Sequence, residues 1–175
     1  MGVNNNQSLE GVEVLTGGLT AGLAGGIGMG LVLQVGPNVF EILGALIGSS
    51  TIVAGWLVHL ALSILFGIAF ATIVSRPALA EFVGTFESYV GAGIAFGAVL
   101  GILAGGLILP LAVSQAGVAV LPLPYLPLPG LAAELLGAAT FAVGHLVYGT
   151  IVGAVLATIV GAVPARFADR TVPHE

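Results

Sequence analysis

Residues 51–74 of the chain read TIVAGWLVHLALSILFGIAFATIV, an apolar run with one histidine and no charged residue. A helix needs about 20 such residues to cross the roughly 30 Å hydrocarbon core of a bilayer. The run is followed by Ser75, Arg76 and Pro77, and a proline in this position stops a helix. This stretch therefore predicts a transmembrane helix.

Three further apolar runs of sufficient length lie at about 15–35, 91–113 and 131–162. The 175-residue chain is 58% hydrophobic and 6% charged, with a mean hydropathy of +1.17, whereas soluble domains carry about 25% charged residues. We therefore expect a single membrane domain, an all-α bundle of four transmembrane helices in contact with the lipid bilayer. With no lysine there is no basic surface, so nucleic acid is not an expected partner.

The connecting segments carry the charges and most of the prolines. The short apolar stretch 39–47, which contains Glu41, predicts an interfacial segment or a helical extension outside the core. Residues 75–90 predict an amphipathic connector at the membrane surface. The four prolines within 120–130 forbid a helix and favour an extended loop.

The second and fourth runs repeat one another at a constant offset of 86 residues. The matched positions are His59-Leu60, Gly67 and Ala71-Thr72-Ile73-Val74 in one, and His145-Leu146, Gly153 and Ala157-Thr158-Ile159-Val160 in the other. The first and third runs share the sequence LAGG at 23–26 and 103–106. We therefore expect a tandem duplication of a two-helix unit, with repeat one at about 14–76 and repeat two at about 91–162. Two such units are related by an axis along the membrane normal.

The arginines predict the orientation. Arg76 lies between the second and third runs, and Arg166 and Arg170 follow the fourth. Positive residues stay in the cytoplasm, so this distribution predicts a multi-pass protein of the cell membrane with both termini cytoplasmic.

Glycines are spaced every four residues in the first and third runs. Residues four apart lie on one helical face, and in lipid such small residues let helix backbones approach closely. The second and fourth runs carry a matching small stripe that includes each histidine. The predicted helix-packing residues are Gly18, Gly22, Gly26, Gly30, Gly93, Gly97, Gly101, Gly105, Ser63, Gly67, Gly149 and Gly153. They predict a tightly packed bundle or a packed oligomer.

His59 and His145 are the residues to which a function in the membrane is most readily assigned, because ionisable side chains are costly there. One interpretation is that each neutral imidazole donates a hydrogen bond to a backbone carbonyl or a hydroxyl and fastens helices. A second is a b-type haem with both histidines as axial ligands, enclosed by Trp56, Phe66, Phe70, Phe141 and Tyr148. A third is a path for protons or small solutes that uses both histidines with Glu41 and Glu134.

Enzymatic motifs are missing: the sequence has no HExxH, GxSxG or paired-carboxylate pattern and no cysteine. The stretch Gly-His-Leu-Val-Tyr-Gly at 144–149, the lack of lysine and the acidic ends resemble small, glycine-rich, four-span membrane proteins of unknown function in halophilic archaea. That resemblance implies no site residues. The leading hypothesis is a non-enzymatic accessory subunit of a larger membrane complex or a homo-oligomer, without a cofactor, and haem b belongs only to the alternative.

Overall fold

A computed structural model describes residues 11–36, 39–117, 130–162 and 164. Within these ranges the chain is helical, without strands. The elements are α1 (Gly11–Val35), α2 (Phe40–Ala45), α3 (Ile52–Val74), α4 (Pro77–Ala80), α5 (Phe86–Leu103), a π-helical segment (Ala104–Ile108), α6 (Leu109–Ala116) and α7 (Leu131–Ile159). Arg166, Arg170 and the proline-rich loop before Gly130 lie outside the described residues.

Four helical spans are long and apolar enough to cross a membrane, as the sequence predicts: α1, α3, the segment 86–115 and α7. Their outward faces carry leucine, isoleucine and valine. Exposed threonines on these faces donate a hydrogen bond from the hydroxyl group to a backbone carbonyl of their own helix. Thr20 donates to the carbonyl of Thr16 at 2.9 Å and Thr150 to that of Leu146 at 2.7 Å. Such internal bonds suit a face in contact with hydrocarbon, where water is absent.

Helices α1 and α7 form the centre of the bundle, with α3 against α1 and α5 against α7. Neighbouring helices run antiparallel. Gly17, near the start of α1, lies against Leu156 and Ile159 at the end of α7, whereas Gly36 lies against Thr140 near the start of α7. The beginning of α1 and the end of α7 are therefore at the same end of the bundle.

In the α1–α3 pair, glycines allow backbone to touch backbone. A Cβ on Gly22 would lie 2.5 Å from the carbonyl oxygen of Ser63, and one on Gly18 would lie 2.6 Å from the Cα of Ile68. Gly67 of α3 faces both α1 glycines from the other side. Residues larger than glycine would force these helices apart, so the close approach depends on this spacing.

The α5–α7 pair has the same contacts at corresponding positions. Gly93 lies against Gly149 and Gly153, and Gly97 against the carbonyl of His145. Gly93 thus takes the position that Gly22 takes in the first pair, an offset of 71 residues. The LAGG correspondence is therefore wrong as a structural alignment, since it requires an offset of 80 residues, whereas the contacts correspond at 71. The glycines agree with this: Gly26 packs against Ser63 of α3, while nothing lies near Gly106, the residue 80 positions later.

Helix α2 corrects the expectation for residues 39–47. Val39 and Phe40 are fully buried, and the Phe40 ring stacks on Trp56 with centroids 4.5 Å apart. The carbonyl of Phe40 touches Gly55, where a side chain would collide with it. Helix α2 therefore packs into the protein against α3, with Glu41 as its exposed residue, and Ile47 beyond the helix is exposed as well. Because Gly55 is a glycine, the backbone of Phe40 can lie directly against α3.

Helix α5 begins inside the segment 75–90 for which the sequence predicts an amphipathic connector. Helix α4 is a single exposed turn, and α5 already begins at Phe86. Thr85 and Ser88 form a capping box that satisfies the first backbone N–H groups of α5. Residues 86–90 are therefore the first turn of the third span.

The third span also changes its helical form. Leu109 donates its backbone N–H to the carbonyl of Ala104, five residues earlier, which defines the π-helical turn. Pro110 has no N–H to donate, so the usual bond to the carbonyl of Gly106 is absent. Beyond this turn, α6 packs against α2.

Candidate functional site

A cavity of about 70 Å³ lies inside the half of the bundle that contains α2 and α6. Its walls are apolar side chains from α1, α2, α5, the π-helical segment and α6, and its polar groups come from α3 and α7. His59, Ser63, His145 and Tyr148 are the polar residues of the wall. The two histidines that the sequence singles out thus line one cavity.

His59 ties α3 to α1. Its Nε2 lies 2.9 Å from the carbonyl oxygen of Gly26. The ring stands edge-on to the rings of Phe40 and Trp56, with centroids 5.5 Å and 5.8 Å away. Trp56 is itself held, because its indole N–H donates to the Oε1 of Gln34 at 2.9 Å. Aromatic contacts and one hydrogen bond thus hold the imidazole in a single orientation.

His145 is bonded within its own helix. Its Nδ1 lies 2.9 Å from the carbonyl oxygen of Phe141, one turn earlier, and the Phe141 ring lies against the imidazole with centroids 4.5 Å apart. Gly101 of α5 packs against its Cβ and Cγ; a Cβ on that glycine would lie 3.2 Å and 3.3 Å from these atoms. This histidine is positioned by its neighbours but ties no helices together through a hydrogen bond.

These bonds assign the ring tautomers. A carbonyl oxygen only accepts, so the nitrogen that faces it carries the proton. His59 is therefore protonated on Nε2 and His145 on Nδ1. The remaining nitrogen of each neutral ring, Nδ1 of His59 and Nε2 of His145, is a bare acceptor.

Tyr148, about one turn after His145 on α7, connects α7 to α3. Its hydroxyl donates to the carbonyl oxygen of Ser63 at 2.7 Å, and the side chain is 2% exposed. A tyrosine in the apolar interior needs such a partner. The sequence places Tyr148 only among the aromatic residues of a hypothetical haem pocket, whereas the structure uses it to join the two halves of the bundle.

The cavity does not fit a haem. Its volume is well below the roughly 300–1,000 Å³ of pockets for large ligands. Gly101 packs directly on His145, and the Nε2 of His59 is already engaged by Gly26. A macrocycle would require α3, α5 and α7 to separate. Of the predicted enclosing aromatics, Phe70 does not line the cavity, and Trp56 packs against Phe40 instead.

A continuous solute path is not formed by the described residues. Between the cavity and the end of the bundle where α3 and α7 end, the interior is filled by buried side chains. These are Phe70, Val152, Leu156 and Ala157, each at most 1% exposed. Glu41 faces outward, and the side chain of Glu134 lies outside the described part of the chain. The cavity is therefore a closed-ended pocket in one half of the bundle.

The predicted helix-packing residues divide into two groups. Gly30 lies against the indole of Trp56 and Gly105 against Phe141, so these two contact side chains. Gly101 contacts the His145 side chain, and Ser63 contacts Gly26. Those that meet the backbone of a neighbouring helix are Gly18, Gly22, Gly67, Gly93, Gly97, Gly149 and Gly153.

The sequence interpretation missed a second small face on α1. Gly17, Gly25 and Gly28 pack against the side chains of Leu156, Val152 and Ile151 on α7. Gly17 and Gly25 are about two helical turns apart, and Gly25 and Gly28 about one turn, so the three lie on one side of the helix. The sequence therefore contained the spacing that indicates this second face. Because α1 has two such faces, it fits between α3 and α7.

Comparisons with protein-family models, with curated proteins and with solved structures find no match to this chain. The described residues also contain no group of three or more histidine, aspartate or glutamate side chains that would bind a metal ion.

Proposed function

We propose that this chain is a non-enzymatic, multi-pass protein of the cell membrane that serves as a subunit of an assembly, with copies of itself or with other membrane subunits. One observation carries the proposal. The third span buries 11% of its most apolar window inside the chain, whereas the other three spans bury 33–44%. Helices in lipid associate through close packing rather than through a hydrophobic force, so the outer face of this span is available for another helix.

The glycine ladders support this proposal less than the sequence alone suggests. Gly22 and Gly93 are both used for contacts inside the chain. Exposed small residues occur on several helices, among them Ala138, Ala139 and Ala142 of α7, but on the least buried span they are Gly91, Ala95 and Ala98 of α5. The assembly surface is therefore assigned to the outer face of α5.

Site-directed photocrosslinking tests this surface, because the natural chain has no cysteine. Ala95→Cys places a single thiol on the outer face of α5, and Ile27→Cys places one on the outer face of α1. The two positions lie at similar depth, since Gly93 and Gly25 both pack near Tyr148–Gly153 of α7. Each thiol is labelled with a benzophenone maleimide in native membranes and irradiated.

We expect a protein adduct from position 95 and none from position 27. An adduct of twice the 17.3 kDa chain mass identifies a homo-oligomer, and any other mass identifies a different subunit. Lipid adducts alone at position 95, or equal protein adducts at both positions, would contradict the proposal.

The proposal includes the tandem duplication and the orientation with both termini in the cytoplasm. The shared offset of the contacts around Gly22 and Gly93 supports the duplication, and Arg76, at the same end as the start of α1, supports the orientation. In intact cells a membrane-impermeant maleimide should label Ser50→Cys but not Gly84→Cys, which lie at opposite ends of the bundle. The reverse pattern would invert the topology.

A further inference from the structure

The two histidines of the cavity leave one hydrogen-bonding atom each unused. Both side chains are 5% exposed, and each bonds one backbone carbonyl through one ring nitrogen. Among the described residues, every enclosed side-chain nitrogen or oxygen has a partner. The second nitrogens have no protein partner, so they are not enclosed: they face the open space of the cavity that both residues line.

This arrangement selects the charge of a ligand. Both free nitrogens are acceptors, so a molecule held between them must donate a hydrogen bond. No arginine or lysine lines the cavity to balance an anion, and no carboxylate lines it to balance a cation. A charged ligand would be costly in such apolar surroundings. The ligand is therefore uncharged.

The exposure of one lining residue indicates where the cavity reaches the outer surface of the bundle. Leu103 lines it and is 53% exposed on the outer surface of the third span. Its neighbours Ile102 and Leu107 are 74% and 61% exposed. All three lie inside the segment 86–115 that is long and apolar enough to cross a membrane. A molecule that enters past Leu103 therefore comes from the bilayer.

The volume limits what enters completely. About 70 Å³ accommodates a hydroxyl group with a few carbons, while a longer chain would extend through the opening. The π-helical segment beside Leu103 forms part of the wall through Ala104 and Ile108. Such wide turns often occur at functional sites, and here the turn lies at the opening.

We propose that this cavity binds a bilayer-soluble alcohol, with its hydroxyl between His59 and His145 and its apolar chain leaving past Leu103. The hydroxyl proton goes to one of the two bare imidazole nitrogens. Ser63, on the same wall, offers a hydroxyl that either donates to or accepts from the ligand oxygen. The hydrogen-bonding groups of this site come from α3 and α7, and the site shares with α5, which carries the proposed assembly surface, the opening at Leu103.

The single tryptophan provides the readout. Trp56 is the only tryptophan of the chain, and its ring centroid is 5.8 Å from that of His59. Bromine quenches its fluorescence at short range, so 2-bromooctan-1-ol serves as the probe in nanodiscs. The control probe is 3-bromononane, in which a methyl group replaces the hydroxyl.

We expect saturable quenching by the alcohol, with an apparent affinity about three- to tenfold above that of the bromoalkane, as one net hydrogen bond implies. His145→Phe should abolish this difference, because it removes an acceptor and fills the space. Thr150→Val, on the lipid-facing side of the same helix, should preserve it. Quenching that is equal for both probes, or a preference that survives in His145→Phe, overturns the proposal.

Helix content by circular dichroism separates misfolding from lost binding. If His145→Phe fails to fold, Ser63→Ala and Leu103→Phe replace it, as they change the wall and the opening. An unchanged preference for the alcohol in both of these variants would equally overturn the proposal.

Discussion

The α1–α3 and α5–α7 pairs use the same glycine contacts but differ in what their histidines do. Gly22 meets Ser63 in the first pair as Gly93 meets Gly149 in the second. Yet His59 reaches across to α1, whereas His145 bonds within α7. A shared sequence pattern thus fixes how two helices approach, while the side chains around the histidine decide its bond.

One difference between the two pairs lies beside the histidine. Trp56 fills the space against Gly30, and the His59 ring is left to point at Gly26. The residue of α7 that corresponds to Trp56, 86 positions later, is Ala142, which is exposed. Without a large ring there, His145 itself occupies the position against Gly101. Trp56 therefore has no counterpart of similar size on α7.

The largest expected effect comes from removing that ring. Trp56→Ala loses the stacking on Phe40 and the bond to Gln34. We expect a loss of about 3 kcal/mol in the free energy of unfolding, the lower end for tryptophan truncation because the ring is half-buried. Ala142→Val, at the corresponding position of α7, should change it by less than about 0.5 kcal/mol. Unfolding in a mixed-detergent titration measures both, and equal losses would show that the two positions are equivalent.

The next effect tests what the pairs share. A Cβ on Gly67 would collide with the backbone of Gly22, and one on Gly153 with the carbonyl of Tyr89. Gly67→Ala and Gly153→Ala should each cost about 1–3 kcal/mol through overpacking. Gly91→Ala, with open space around it, should be neutral or gain up to about 1 kcal/mol from helix propensity. If only one of the two buried glycines is sensitive, the common packing is wrong.

A smaller effect separates the histidines. His59→Phe removes a bond between helices, and we expect a loss of about 0.6–1.7 kcal/mol, as for other hydrogen bonds between membrane helices. His145→Phe removes a bond inside one helix and places the ring beside the cavity, so we expect a smaller loss than for His59→Phe. The same detergent titration applies. A larger loss for His145→Phe than for His59→Phe would reverse the assignment.

The last prediction concerns the absorbance spectrum, in which we expect no signal from haem. Because the cavity is too small for a macrocycle, protein purified from cells with ample haem should show no Soret band. A band that disappears in His59→Ala and in His145→Ala would restore the cytochrome hypothesis.

The stripe of small residues that shares a helix face with each histidine was enough to predict from the sequence that His59 and His145 point into the bundle. The glycine spacing likewise predicted the close helix faces, because i and i+4 positions share a side. Local periodicity carries both signals, so no tertiary information was needed.

The burial of α2 could not be predicted from the periodicity of the sequence. It depends on the contact between Phe40 and Gly55, two residues whose separation in sequence has no periodic signature. The stretch around Glu41 is short and bears a charge, which are the properties of an interfacial segment. The tautomers of His59 and His145 likewise follow from which carbonyl lies nearby, and the sequence does not contain that information.

Nitrogen-15 NMR of histidine-labelled protein in bilayers tests the central contrast most directly. The chain has three histidines, and His174→Gln removes the one outside the described residues. The account predicts two neutral rings of opposite tautomer: His59 with its proton on Nε2 and His145 with its proton on Nδ1. His59→Phe and His145→Phe assign the signals. Two rings of the same tautomer would contradict the account.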